Sequence, residues 1–268
     1  MNAINSSPEQ YLKSLILSKI KHTVQYTGAS TKIIFEDGKK VVFTSAELAP
    51  KELAFVSMAR ADVIGNSKLI RLPERNPVFS HIYNWRKLGD NGDMAEIDIN
   101  SAFWLTAYLE GILSDRIFRL GESVRKEVRL IAFGSAAAVR RSFYFDGERY
   151  ADAKEEINED GRRAYFYVAS KVTAMLRGIC DEIPGEAALY WVDAIVCTVP
   201  YCEYVQRRIF EHGYAFKTKH LIDCNFRVTK EKEKIWTVIE SQTGRLKEFR
   251  QYPKRRNFET INLINSSF

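Results

Sequence analysis

The stretch Ala187-Ala188-Leu189-Tyr190-Trp191-Val192-Asp193-Ala194-Ile195-Val196-Cys197-Thr198-Val199 decides the fold. Ala187 to Val192 and Ile195 to Val199 are two β-rich apolar runs, and Asp193-Ala194 between them predicts a tight hairpin with an acidic tip. Upstream, Arg163 to Ile183 predicts a long helix stopped by Pro184-Gly185; downstream, Tyr201 to His212 predicts a helix ended by Gly213, then a strand-rich passage from Tyr214 to about Ile239. Met94 to Ile99 predicts a short strand leading into an apolar helix from Ser101 to Leu113, and Gly121 to Arg140 predicts another helix. Setting aside those two helices leaves βαββαβ, the split arrangement of an α+β fold in which helices cover one face of an antiparallel sheet. In it Asp98, at the end of the first strand, lies beside Asp193 in the central hairpin.

An aspartate in a hairpin is ordinarily a turn former. Asp98, however, sits between Ile97 and Ile99, and Asp193 follows an apolar run. A buried carboxylate needs a partner or a metal. Two carboxylates on neighbouring strands can hold two Mg²⁺ ions about 3.5–4 Å apart, the requirement of in-line phosphoryl displacement.

The residues around both aspartates resemble a family. Asp98-Ile99-Asn100-Ser101-Ala102-Phe103-Trp104 is similar to the first palm motif of family B DNA polymerases, D-x-x-S-L-Y-P, especially the form found in protein-primed phage and plasmid enzymes. Lys126 to Gly134 resembles their finger-helix motif K-x-x-x-N-S-x-Y-G at Lys126, Phe133 and Gly134, and Leu189 to Val196 resembles Y-x-D-T-D-S-I-F with Asp193 on the second aspartate. The three motifs follow the family's order over about Phe79 to Ile239, some 60 % of the chain.

The resemblance implies a polymerase-type palm with a short finger helix and a small N-terminal α/β lobe. Residues 1–78 would be the lobe, 79–240 the palm with minimal fingers, and 241–268 a basic C-terminal segment. Asp98 and Asp193 would be catalytic and bind Mg²⁺ or Mn²⁺, with the Ile99 carbonyl as a third contact. Lys126 would face the incoming dNTP, helped by Arg125 and Arg129, and Phe103 would lie under its sugar and exclude a ribose 2′-hydroxyl. Lys234-Ile235-Trp236 is the candidate for the lysine-aromatic segment that touches the primer, and Lys254, Arg255 and Arg256 are candidates for gripping the nucleic acid.

Departures from the family pattern matter as much. Trp191 replaces the first aspartate of D-T-D, and Leu130 the finger asparagine. Only 28 residues separate Asp98 from Lys126, no D-x-E exonuclease pair precedes Asp98, and about 75 residues follow Asp193, leaving little room for a thumb. These features imply a DNA polymerase of low processivity, working on a primer-template with a protein partner that supplies primer or processivity. The alternative is a catalytically retired palm that binds nucleic acid or serves as a structural subunit. Asp98, Asp193 and Lys126 favour activity; Trp191 and Leu130 favour retirement.

Composition fits both readings. The chain has 268 residues, 46 % hydrophobic and 28 % charged, which favours a globular fold with a large core. The net charge is +6, but fourteen Lys and Arg face six Asp and Glu between Arg207 and Arg256, so the excess is C-terminal and suits a polyanionic partner. No apolar run is long enough for a membrane span and no signal peptide opens the sequence, so no membrane partner and a cytoplasmic location, host cytoplasm for a phage or plasmid protein, are expected. Four scattered cysteines predict buried free thiols.

Overall fold

The computed structural model describes residues 7–27, 30–44, 48–68, 79–84, 93–151, 153–230 and 233–251. Contacts divide the chain into two units, Met1–Pro77 with Ser101–Val172, and Val78–Asn100 with Thr173–Phe268. Both are α+β with antiparallel sheets.

In the first unit Ser7 caps helix α1 (Pro8–Leu17). The Gln10 backbone N–H donates to Ser7 Oγ, and the Ser7 N–H donates back to Gln10 Oε1. Strand β1 (His22–Thr27) follows, and Asp37-Gly38 turns β2 (Ser30–Phe35) into β3 (Lys40–Thr44), with Gly38 at a φ of 82° that its missing Cβ permits. The sheet continues through residues more than a hundred positions away. Strand β6 (Arg140–Phe145) pairs with β1, and β7 (Lys154–Glu156) pairs with β6, giving the order β3-β2-β1-β6-β7. Helices α2 (Pro50–Ser67), α3 (Ala102–Leu109), α4 (Asp115–Glu122) and α5 (Lys126–Ala136) complete the unit. Helix α2 packs on α5 and α4, burying Phe55, Ala59 and Val63 on its side and Val128 and Ala132 on α5.

This grouping corrects the expected division at residue 78. Residues 101–172 belong with the N-terminal part, because β6 completes its sheet and α5 its helical layer. The division at Val172 falls within α6 (Glu159–Glu182).

The second unit carries strands β4 (Ser80–Ile82), β5 (Met94–Ile99), β8 (Ala187–Trp191), β9 (Ala194–Thr198), β10 (Phe216–Val228), β11 (Lys234–Glu240) and β12 (Arg245–Gln251), with helix α7 (Cys202–Glu211). They form one antiparallel sheet in the order β12-β11-β10-β5-β9-β8-β4. Within it β5, α6, β8, β9, α7 and β10 follow the expected βαββαβ path, with strand order β10-β5-β9-β8. Alternation splits β5 into two faces. Helix α7 covers the Ile97 face: Gln206 Nε2 donates to Thr218 Oγ1, and Thr218 is in register with Ile97. Cys180 of α6 and Cys197 of β9 lie close together, and burial pushes both thiols up. The structural cysteines are thus unreactive thiols in a packed layer.

The opposite face would be open if the sheet were flat. Instead Met94, Leu189, Val196, Leu221, Cys224, Trp236, Val238 and Phe249 form one buried cluster, with Ile82 and Trp191 packed against it. Strand β10 pairs with β5 through its first half and with β11 through its second, and a register shift between Ile222 and Asn225, with Asp223 at a φ of 51°, separates the halves. Such a bulge bends a strand and raises its twist, which carries β11 and β12 back over the Met94 face. The expected basic tail after residue 240 therefore begins with a sheet strand. Among the described residues no helix is long and apolar enough to cross a membrane.

Candidate active site

Asp98 lies at the last turn of β5 before the chain leaves the sheet, in register with Ala194 on one side and Lys217 on the other. Directly opposed residues in antiparallel strands lie about 4.5–5.5 Å apart between Cα atoms and share a face. Asp193 is the residue next to Ala194, and its carbonyl accepts the Ile99 backbone N–H at 2.9 Å. The two aspartates are thus set at one end of the sheet by the backbone, and both are half-buried. Ile99 is fully buried through its side chain.

The hairpin turn is Val192-Asp193, one residue earlier than the sequence suggested, because Trp191 and Ala194 pair with each other. Val192 has a φ of 57°, the left-handed region that β-branched residues rarely enter. Its N–H donates to the Phe79 carbonyl at 2.6 Å, next to the β4–β8 pairing, and this contact helps hold the turn. Trp191 shares the row of Ala194 and Asp98, and its ring meets Phe249 edge-on at 5.6 Å. Where the resembling motif has a carboxylate, this chain has a packing residue.

Sequence reasoning missed Glu96. It lies two positions before Asp98 on the same face of β5, is 4 % exposed, and accepts from Lys247 Nζ at 2.6 Å through both oxygens. Lys219, its register partner on β10, stands 3.8 Å away. The alternation Met94, Glu96, Asp98 was visible in the sequence, but a strand glutamate ordinarily marks a solvent face.

The candidate triphosphate contacts lie in the first unit. Lys126, the first residue of α5, is exposed, and no ion pair engages it among the described residues. Arg125 and Arg129 are engaged. Arg125 donates from Nε and Nη2 to the two oxygens of Glu52, at 2.9 and 3.1 Å, and Glu52 also accepts the Ala49 N–H. The guanidinium beside Glu52 holds that carboxyl below its usual range. Arg129 donates to Ser101 Oγ and the Gly121 carbonyl. Both arginines therefore tie parts of the unit together, which corrects their expected role in gripping a substrate.

Phe103 is also corrected. It is 8 % exposed and stacks on Tyr165 at 6.1 Å, so its ring is core and offers no face to a sugar. Trp236 is fully buried in the second unit and cannot stack on a base, whereas Lys234 opens β11 half-buried. Lys254, Arg255 and Arg256 lie outside the described residues.

Asp98 and Asp193 supply hard oxygen donors, and Mg²⁺ commonly binds through one or two carboxylates with water and substrate phosphates completing its shell. The donor set fits that ion. Among the described residues no group of three His, Cys, Asp or Glu side chains converges as a closed metal site. Comparison of the chain with protein-family models, with curated proteins and with solved structures finds no match.

Proposed function

We propose that the protein is a metal-dependent nucleotidyltransferase, a reduced DNA polymerase of the family B type that adds deoxynucleotides to a primer end with low processivity. The observation that carries this reading is the register: Asp98 on β5 opposite Ala194 on β9, with the Asp193 carbonyl bound to the Ile99 N–H. Strand order β10-β5-β9-β8 with α7 on the far face supports a palm. Asp98 and Asp193 would hold Mg²⁺ or Mn²⁺, which supplies charge neutralisation for phosphoryl transfer. Lys126 would bring a positive charge to the triphosphate. With Phe103 buried, selection against ribose has no residue assigned to it.

A retired palm that binds nucleic acid is the second reading. Trp191 on Phe249 and the engagement of Arg125 and Arg129 favour it. Primer extension separates the two. Purified protein receives a primed DNA template, Mg²⁺ or Mn²⁺ and labelled dNTPs or NTPs, alongside Asp98→Ala and Asp193→Ala. Incorporation at least a hundredfold above both variants is expected. Absence of incorporation in the wild type, with salt-sensitive DNA binding retained, would sink catalysis in favour of the binding role.

A further inference from the structure

The charges beside Asp98 do not balance. On the Met94 face of β5, Glu96 contributes one buried negative charge, and two ammonium groups converge on it, Lys247 from β12 and Lys219 from β10. They are unequal partners. Lys247 reaches both carboxylate oxygens at 2.6 Å, while Lys219 stands off at 3.8 Å with about a quarter of its side chain exposed. A buried carboxylate needs one close counter-charge, and Lys247 already supplies it. Lys219 is the surplus.

Two positions earlier on the same face of β10 stands Lys217, exposed and in register with Asp98. Residues two apart on a strand are about 6.6–6.8 Å apart and project the same way. Lys217 and Lys219 thus form a short cationic row along the strand that borders Asp98. The row leads away from the apolar cluster of Met94, Leu221 and Trp236 towards the end of the sheet that carries both aspartates.

We infer that Lys217 and Lys219 seat the phosphodiester backbone of a nucleic-acid strand along β10, and that Lys247 acts as a positioning residue by neutralising Glu96 and leaving Lys219 to the phosphate. Without Lys247, Glu96 would draw Lys219 inward and the row would shorten to Lys217 alone. The inference rests on the nucleic-acid role proposed for this sheet, and it concerns binding, so it can fail or stand independently of catalysis.

The test is binding of a fluorescent primed DNA in EDTA, by anisotropy between 50 and 200 mM salt, with thermal melts on every variant. Each lost phosphate contact removes about 0.7–0.9 from the slope of log K against log salt. Lys217→Ala and Lys219→Ala should each flatten the slope by that amount and weaken binding about five- to tenfold at 0.1 M salt, on the same relation. Lys13→Ala, an exposed substitution on α1, should leave it unchanged. Glu96→Gln should tighten binding severalfold, because it releases Lys247 and Lys219 together; a purely structural role for the cluster predicts no tightening. Lys217 is exposed, so its variant keeps the test valid even where Lys219→Ala or Glu96→Gln melts early. An unaltered slope in Lys217→Ala, or no salt-sensitive binding by the wild type, overturns the inference. Aspartate-dependent incorporation with an unaltered slope overturns the seat alone, and an altered slope without incorporation overturns catalysis alone.

Discussion

Val192 and Trp191 show how single residues shape the aspartate end of the sheet. A two-residue hairpin with positive φ only at its first central position follows the type II′ pattern, in which glycine is usual. A left-handed L-residue costs about 1–2 kcal/mol, against about 0.5–1 kcal/mol of extra chain entropy for glycine. Val192→Gly should therefore raise stability by up to about 1 kcal/mol, or about 2–4 °C in Tm for a chain of this size. Strain of this kind persists where surrounding contacts fix the backbone, often at functional sites. If it holds Asp193 in place, the same variant should lose incorporation severalfold while gaining stability. A calorimetric Tm that falls, or activity that rises with Tm, would show that Val192 is not strained against function. Trp191 needs no such account: its ring fills space against Phe249, so the carboxylate that the resembling motif places there has become part of the core.

At the scale of elements, what the sequence revealed was local. Ser7 with Gln10 announced α1, Asp37-Gly38 the β2–β3 turn, and the apolar runs around Asp193 the β8–β9 hairpin, because each signal lies within a few residues. Strands β1 and β6 escaped notice because neither is flanked by its partner; His22–Thr27 finds Arg140–Phe145 only when the chain closes over more than a hundred residues. The roles assigned to Arg125, Arg129, Phe103 and Trp236 failed for a related reason. Residue type and spacing show what a side chain could bind, but burial and a prior partner decide whether it is available. Glu52 illustrates the energetics. Its carboxyl is held below the ordinary range, chiefly by the Arg125 hydrogen bond, so the α2–α5 contact gains stability that is fully present above the unfolded carboxylate pKa. That gain is lost as pH falls through the lowered folded value. Urea unfolding of wild type and Glu52→Gln should differ most near neutrality and converge towards pH 3; a difference independent of pH would remove the ion pair from the explanation.

At the scale of the whole molecule, each unit is assembled from separated pieces of chain, so truncation acts on cores rather than on tails. Strand β12 contributes Phe249 to the buried cluster and Lys247 to Glu96. Losing a buried Phe costs about 3–5 kcal/mol, and stripping a buried carboxylate of its partner costs about as much again, together comparable to the 5–15 kcal/mol that holds a typical domain folded. A chain ending after Glu240 should therefore lose the cooperative melt of the second unit. A chain ending after Gln251 removes no described contact and should melt as the full protein does, yet it lacks Lys254, Arg255 and Arg256. If those three side chains each neutralise a phosphate, the salt slope of DNA binding should flatten by about 2–3, additively with the loss from Lys217→Ala. An unchanged slope after truncation at Gln251 would confine the nucleic-acid contacts to the folded sheet and leave the row on β10 as their principal source.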